Sequence, residues 1–151
     1  MTYWVIDASL AVNTVLSISD SLLSFWDRAD REQIIPCAPR LWMSETTSAL
    51  RSFLFQKYIT SEEAEQALRT IHGLQVEIID EDEELCLRAL ELAGKLNQSK
   101  AYDAIYLALA EKLVANFWTA DERLANRCQK DLNLTWVHSI TELRQAGGPK
   151  P

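Results

Sequence analysis

The stretch Trp4-Val5-Ile6-Asp7-Ala8-Ser9 decides the fold, because an apolar run ends there on a carboxylate and a helical pattern follows. Aromatic and β-branched residues from Tyr3 to Ile6 run without alternation, which predicts a short strand buried on both faces. Asp7 then stands at the carboxyl end of this strand, the edge of an open α/β sheet where ligands bind. Two interpretations stay open at this point. Asp7 belongs to a functional site, or its side chain caps the following helix.

The length and composition of the chain favour one compact domain. It has 151 residues, 48% of them hydrophobic, which is enough to bury a sizeable core. We expect a single domain over residues 1–146 and a disordered tail over residues 147–151. No apolar run approaches the about 20 residues of a membrane span, and the N-terminus lacks the pattern of a signal peptide. The sequence therefore predicts a cytoplasmic protein without a membrane partner.

Cysteine spacing and net charge narrow the function classes. Cys37, Cys86 and Cys128 are odd in number and widely spaced, so they indicate neither a disulfide framework nor a zinc site, and we expect buried reduced thiols. The net charge of -7 argues against a general nucleic-acid coat protein, because affinity for phosphate backbones comes mostly from clustered Lys and Arg. Nucleic acid as a substrate stays open, since divalent ions on acidic residues reverse the local charge.

Short apolar runs alternate with helical patterns along the chain. We predict strands near residues 3–6, 33–35, 76–79, 116–119 and 135–138, and helices in the intervals between them. The second strand is expected to end at Pro36, which cannot donate to a ladder, and Pro39 to open the next helix. This order predicts an α/β fold: a three-layer α/β/α sandwich around a mainly parallel sheet of four to five strands.

The acidic segment, residues 80–84, is the densest run of carboxylates in the chain. It invites interpretation as a metal site. However, it leads directly into a predicted helix, and acids in a first helical turn are favoured by the helix dipole. We therefore interpret it as a solvated helix start.

Three other acids stand where an acid is not expected. On a helix, Glu45 shares its inward face with Leu41 and Ala49, where an unpaired carboxylate is costly to bury. The alternative is a position at the rim of that face, where the carboxylate reaches water. Asp103 begins a helix that is apolar almost all round, and Asp121 follows the fourth strand directly. Capping of a helix is the alternative for Asp103 and for Asp121. Together with Asp7, these acids would converge on one edge of the sheet.

Four blocks of the sequence resemble the signature of PIN-domain ribonucleases, particularly the single-domain VapC type. They are Val5-Ile6-Asp7-Ala8-Ser9, Ser44-Glu45 with Ala49-Leu50, Tyr102-Asp103-Ala104-Ile105-Tyr106-Leu107-Ala108-Leu109-Ala110, and Thr119-Ala120-Asp121-Glu122-Arg123-Leu124. The likeness covers nearly the whole chain, and the third and fourth blocks are quite specific in order and spacing. It implies a PIN-like α/β/α sandwich and metal-dependent hydrolysis of RNA.

The resemblance also implies an acidic quartet. By position, Asp7, Glu45, Asp103 and Asp121 would be the catalytic, metal-binding carboxylates, and none of them is replaced in this chain. Hard oxygen ligands without His or Cys favour Mg²⁺ or Mn²⁺ over zinc. We expect one of these ions as the cofactor.

Other polar residues flank the quartet. Ser9 and Thr119 would be the hydroxyl residues that often accompany it, although a helix-starting Ser and an ordinary strand Thr explain them equally well. Lys100, Arg123 and Arg127 lie near the motifs and are candidates for phosphate contacts, against the alternative of solvated surface charge.

The expected function is that of a metal-dependent endoribonuclease, the toxin of a toxin–antitoxin pair with an antitoxin protein as partner. A homodimer is expected as well, because the early helices carry more aromatic surface than one small core absorbs: Trp26, Trp42, Phe53, Phe55 and Tyr58. The alternatives are a solitary nuclease without an antitoxin, a catalytically silent binding module and an aspartyl-phosphate phosphotransferase. The intact quartet argues against the silent module, and Ser9 stands where the phosphotransferase needs a second Asp.

Overall fold

A computed structural model describes residues 1–143 of the chain, and strand β1 (Tyr3–Ile6) lies at the centre of its sheet. The other strands are β2 (Ile35–Pro39), β3 (Glu77–Ile79), β4 (Asn116–Thr119) and β5 (Val137–Ser139). Their spatial order is β3-β2-β1-β4-β5, and every neighbouring pair is parallel. The predicted parallel sheet is confirmed. The predicted tail, residues 147–151, lies outside the described residues.

Helices cover both faces of this sheet. Within residues 1–143 they are α1 (Ala8–Leu16), α2 (Asp20–Arg31), α3 (Leu41–Phe55), α4 (Ser61–His72), α5 (Glu83–Lys95), α6 (Tyr102–Leu113) and α7 (Glu122–Asp131). Helices α1, α3 and α4 contact one another, whereas α5 contacts α6, which lies across β1, β2 and β4. Because crossovers between parallel strands are right-handed as a rule, this strand order puts the two groups on opposite faces. The predicted α/β/α sandwich is therefore confirmed.

The central strands are buried on both faces, as the unbroken apolar run predicts. Trp4, Val5 and Ile6 of β1 are all in the core. The Trp4 ring lies 5.0 Å from that of Phe25 on α2 and 5.2 Å from that of Trp118 on β4, measured between centroids. Burial of such large rings supplies much of the hydrophobic stabilisation of a small domain. The sheet is thus a rigid base for the groups at its edge.

Strand β2 continues through Pro36, so the prediction that it ends there is wrong. Ile35 donates its backbone amide to the carbonyl of Thr2 on the β1 side, which turns the nitrogen of Pro36 toward β3. The ladder between β2 and β3 begins only at Cys37. The donor that Pro36 lacks would have had no partner in this ladder, and the strand tolerates the proline.

Pro39 is the last residue of β2 and does not open the next helix, which is a second correction. The ladder between β1 and β2 has its last pair at Val5 and Cys37, so the nitrogen of Pro39 lies beyond it. Arg40 is the N-cap of α3. A proline at this point ends the strand without cost to the sheet.

The acidic segment is a solvated helix start, as interpreted from the sequence. Asp82 caps α5 by accepting from the amide of Leu85 at 2.8 Å, and it also pairs with Lys112 at 2.5 Å. Asp80 pairs with Arg40 at 2.5 Å. Basic side chains therefore pair with two of the five acids of this segment.

Two expectations about buried side chains need correction. Cys37 and Cys128 are buried free thiols, but Cys86 is exposed on α5. Of the aromatic residues on the early helices, Trp42 is absorbed into the core, whereas Phe55 and Tyr58 are 74% and 72% exposed. The exposed aromatic surface of the early helices is thus smaller than predicted and lies at the end of α3 and in the turn after it.

Within residues 1–143, no single helix has both the length and the apolar composition of a membrane span, and only the bent pair of α1 and α2, at 113°, meets the two requirements together.

Candidate functional site

Asp7 stands where β1 ends, beside the end of β4. Its backbone amide donates to the carbonyl of Trp118, which brings the side chains of Asp7 and Thr119 together. The Asp7 Oδ1 atom accepts from the Ser9 hydroxyl at 2.7 Å and from the amide of Leu10 at 3.0 Å. Its Oδ2 atom accepts from the Thr119 hydroxyl. Asp7 therefore caps α1, as one interpretation predicts, and it also lies at the carboxyl edge of the sheet, where the other interpretation places a site.

Ser9 and Thr119 link the ends of the two central strands. The Ser9 hydroxyl oxygen accepts from the amide of Ala120 at 3.2 Å, and that of Thr119 accepts from the amide of Asp121 at 2.9 Å. Asp121 in turn caps α7 by accepting from the amide of Leu124 at 3.1 Å. Both hydroxyls therefore have a structural role, because each holds a carboxylate or the loop that carries one.

Glu45 projects from the first turns of α3 toward α6. Its Oε1 atom accepts from the Tyr106 hydroxyl at 2.6 Å, a contact between residues that are 61 positions apart. Tyr106 is 1% exposed. Glu45 is half-buried, so the alternative of a rim position applies in part. It nevertheless faces the same edge as Asp103, which lies one helical turn before Tyr106.

Asp103 does not cap α6, and the capping interpretation of this residue is wrong. The N-cap is Ala101, which makes no side-chain capping bond. The Asp103 Oδ2 atom instead accepts from the Gln98 side-chain amide at 3.0 Å. A half-buried carboxylate with no capping role in its own helix points to a functional position.

Tyr106 and Gln98 are site residues that the sequence reasoning missed. A signal existed for Tyr106, since its hydroxyl sits in a helix that is otherwise apolar and needs a partner when buried. Its spacing of three residues from Asp103 places both on one face of α6. Gln98 lies in a polar loop, and no pattern distinguishes it from its neighbours.

Burial and mutual repulsion raise the pKa values of three of the acids. Burial raises the pKa of Asp7 to about 6, against the hydrogen bonds that favour its ionised form, and the charge of Asp103 contributes to the rise. The pKa values of Glu45 and Asp103 are also raised, mainly by burial and further by the charges of Asp103 and Asp121 respectively. Asp103 is thus the common neighbour of Asp7, Glu45 and Asp121. Asp7, Glu45, Asp103 and Asp121 together form the acidic edge.

Two of the three candidate phosphate-binding cations lie at the acidic edge. Lys100 and Arg127 line a cleft of about 420 Å³ together with Glu45 and Asp103. Arg127 also donates to the backbone carbonyl of Leu96, and its charge offsets a small part of the rise in the pKa of Asp103. Arg123 is exposed on α7 and does not line this cleft.

The donor atoms of the acidic edge suit a hard divalent cation, because all of them are carboxylate oxygens. Within residues 1–143, however, no three His, Cys, Asp or Glu side chains stand close enough to hold one metal ion together. Mg²⁺ usually takes only one or two protein carboxylates and keeps several waters. The residues present therefore fit such an ion in the chemistry of their donor atoms, with one or two carboxylates as ligands and water in the remaining positions.

The sequence of residues 5–130 matches the PIN domain family. The fold is similar to those of PAE2754 from Pyrobaculum aerophilum (18% identity, TM-score 0.67, over 95% of this chain and 88% of that one) and of VapBC-1 from nontypeable Haemophilus influenzae (15%, 0.65, 93% and 99%). VapC20 from Mycobacterium tuberculosis, a sarcin-ricin loop cleaving toxin, has 13% identity and a TM-score of 0.54, over 78% and 87%. A comparison with curated proteins finds no match. Because the family match spans most of the chain and includes every carboxylate of the acidic edge, the chain belongs to the PIN domain family.

Proposed function

We propose that this protein is a metal-dependent endoribonuclease that hydrolyses RNA phosphodiester bonds at the acidic edge. One observation carries the proposal: none of the ion pairs described within residues 1–143 includes Asp7, Glu45, Asp103 or Asp121. Asp7 is buried and Glu45 and Asp103 are half-buried, whereas Asp121 is exposed. Neighbouring carboxylates that are withdrawn from water without a paired cation are costly, and a divalent ion removes that cost. The acidic edge has the properties of a cation site.

Neutral donors orient each of the buried carboxylates. Ser9, Thr119 and the amide of Leu10 hold Asp7, whereas Tyr106 holds Glu45 and Gln98 holds Asp103. A hydroxyl or amide fixes a carboxylate in place without neutralising it, so the full negative charge stays available. We propose Asp7, Glu45 and Asp103 as ligands, with no more than two of them on any one ion, and Asp121 as a ligand that acts directly or through water.

A bound Mg²⁺ or Mn²⁺ supplies charge neutralisation at the scissile phosphate and activation of water. The chain contributes the rest of the site. Lys100 and Arg127, at the rim of the cleft, are positioned to contact phosphate groups of the substrate that flank the cleaved bond. The rigid ends of β1 and β4 keep the carboxylates in place while the substrate binds.

RNA is the proposed substrate because of the family and because of one fold relative. VapC20 is by its name a toxin that cleaves the sarcin-ricin loop. By analogy, we propose that this chain cleaves a structured or single-stranded RNA. Such a substrate implies that the protein acts in the cytoplasm. The identity to VapC20 is low and supports only a shared fold, so the RNA sequence that this chain cleaves must be found by experiment.

The test is cleavage of a panel of tRNA, ribosomal RNA and single-stranded oligonucleotides in Mg²⁺, in Mn²⁺ and in EDTA. We expect cleavage with either ion and none in EDTA. Calorimetry should show that Mn²⁺ binds to the wild-type protein. Equal cleavage in EDTA, or the absence of Mn²⁺ binding, would overturn the proposal.

We further propose that the nuclease is a homodimeric toxin neutralised by an antitoxin protein. One structure of similar fold, from Klebsiella pneumoniae, is by its name a toxin–antitoxin complex, and two others are named VapBC. Phe55 and Tyr58 form an exposed apolar surface next to a groove lined by Val15, Leu16 and Ile59, and such surfaces mark protein contacts.

Overexpression should arrest growth, and the product of a small upstream reading frame should relieve the arrest. Harmless overexpression contradicts the toxin role, and a monomer in sedimentation at micromolar concentration contradicts the dimer.

A further inference from the structure

Tyr106 connects the two helices that carry Glu45 and Asp103. Its ring is buried against Phe117 of β4, with centroids 6.1 Å apart, so the side chain is fixed by the core. Its hydroxyl donates to Glu45, which lines the cleft, at 2.6 Å, the short distance typical of a hydroxyl bonded to a charged carboxylate. The hydroxyl is therefore held at a fixed point by the sheet beneath it.

Glu45 has no other side-chain hydrogen bond or ion pair with any residue among 1–143. A glutamate has three rotatable side-chain bonds, and the negative charge of Asp103 pushes this one away from the cleft. Without a donor on the α6 side, water would draw the carboxylate outward. The position of Glu45 thus depends on one neutral donor.

We propose that Tyr106 is the positioning residue of Glu45: its hydroxyl holds the carboxylate beside Asp103, so that the two acids can share one divalent cation. This inference rests on the proposed function. The hydroxyl occupies one lone pair of Oε1 and leaves Oε2 and the remaining lone pairs for the cation. Outer partners of this kind orient the ligands of metal sites in general.

A purely structural role for the contact would be different. In that case Glu45 only satisfies a buried phenol, and loss of the hydroxyl would change stability but leave cation binding as it was. The two roles are separable because Phe at position 106 keeps the ring, its volume and its packing against Phe117. The variant Tyr106→Phe is therefore expected to fold.

The experiment measures Mn²⁺ affinity by calorimetry for the wild type, Tyr106→Phe, Glu45→Gln and the double variant. Tyr106→Phe should weaken Mn²⁺ binding by about tenfold. In the Glu45→Gln background the same change should have less than about a twofold effect, because Tyr106 acts through Glu45. Tyr3→Phe, at the far end of β1 from Asp7, is the matched control and should leave the affinity unchanged.

The outcomes distinguish this inference from the proposed function. If the wild type binds Mn²⁺ and Tyr106→Phe binds it equally well, the inference fails and the proposed function stands. An equal loss in both backgrounds also overturns the inference, because it shows that Tyr106 does not act through Glu45. If the wild type binds no Mn²⁺, the proposed function fails and the inference fails with it. A second readout is cleavage against Mn²⁺ concentration, where Tyr106→Phe should need about tenfold more ion and regain its rate at saturation.

Discussion

The acidic segment and the acidic edge contain the same type of side chain in opposite environments. Asp80 of the acidic segment has a 71% exposed side chain and a salt bridge to Arg40, whereas Asp7 of the acidic edge is only 7% exposed and has only neutral donors. The pKa of Asp82 is lowered by its hydrogen bond with Lys112, but burial raises the pKa of Asp7 to about 6. A dense run of acids in the sequence, as in the acidic segment, thus indicates a solvated helix start. Buried carboxylates that have no paired cation, as at the acidic edge, indicate a functional site.

The largest expected difference between the two regions is in catalysis. Asp103→Asn nearly preserves shape and removes one charge, and it should reduce RNA cleavage by at least about a hundredfold, because a direct ligand matters more than an outer partner. Asp80→Asn makes the same chemical change in the acidic segment and should leave the rate unchanged. Initial rates at saturating Mg²⁺ provide the measurement. Comparable losses in the two variants would contradict the distinction between the regions.

The next largest effect is a pH dependence of opposite sign in the two regions. A carboxyl whose pKa is raised by folding keeps its proton in the native state after the unfolded chain has lost it, so stability falls as the pH rises. For Asp7 this fall should be about 3 kcal/mol between its ordinary pKa of 3.8 and its folded value of about 6. For Asp82, with a lowered pKa, stability is present above the ordinary pKa and is lost as the pH falls.

Urea unfolding in EDTA between pH 4 and 7 checks both signs when each variant is compared with the wild type. Asp7→Asn should become more stable than the wild type as the pH rises, since Asn still caps α1. Asp82→Asn should show no such gain. A constant difference between Asp7→Asn and the wild type over this range would show that Asp7 titrates normally in the folded protein.

Addition of Mg²⁺ should stabilise the protein through the acidic edge alone. An ion at a hundred times its dissociation constant raises the free energy of unfolding by about 2.7 kcal/mol, provided that it binds the folded state only. The gain should be present in Asp82→Asn and strongly reduced in Asp103→Asn. Thermal melting with and without the ion measures it, and an equal gain in both variants would locate the binding elsewhere.

Much of the fold follows from the sequence, because the decisive signals are local. Thr60 and Glu63 form a capping box that starts α4, a pattern visible in the sequence Thr60-Ser61-Glu62-Glu63, and the helix ends before Gly73. The unbroken apolar run of β1 predicts its central place. Pro36 misled the interpretation, since its tolerance in β2 depends on where β3 begins to pair, which no local pattern reveals.

The acidic edge was predicted only in part. The four carboxylates stand out because acids are rare in apolar helices and at strand ends, and the family resemblance brings them together. What the sequence could not provide is the partner of each acid. Tyr106 and Glu45 are 61 residues apart, and the role of Asp103 depends on whether its side chain faces its own helix end or Gln98. Such contacts are set by packing of whole elements rather than by spacing.

The smallest expected effect is the sharpest test of the acidic edge, because its sign is unusual. In EDTA, Asp103→Asn should be more stable than the wild type, since one member of a group of mutually repelling carboxylates is gone while the Asn oxygen still accepts from Gln98. Two such charges about 5 Å apart repel by about 3 kcal/mol at an effective dielectric constant of about 20, but solvent in the open cleft and partial protonation should leave about 1 kcal/mol. The matched change Asp80→Asn breaks an exposed ion pair and should reduce stability by at most about 1 kcal/mol. Urea unfolding at pH 7 in EDTA distinguishes the two, and the ion must be absent because it stabilises the wild type selectively. If Asp103→Asn is no more stable than the wild type under these conditions, its charge is already compensated in the folded protein and the acidic edge has no need of a cation.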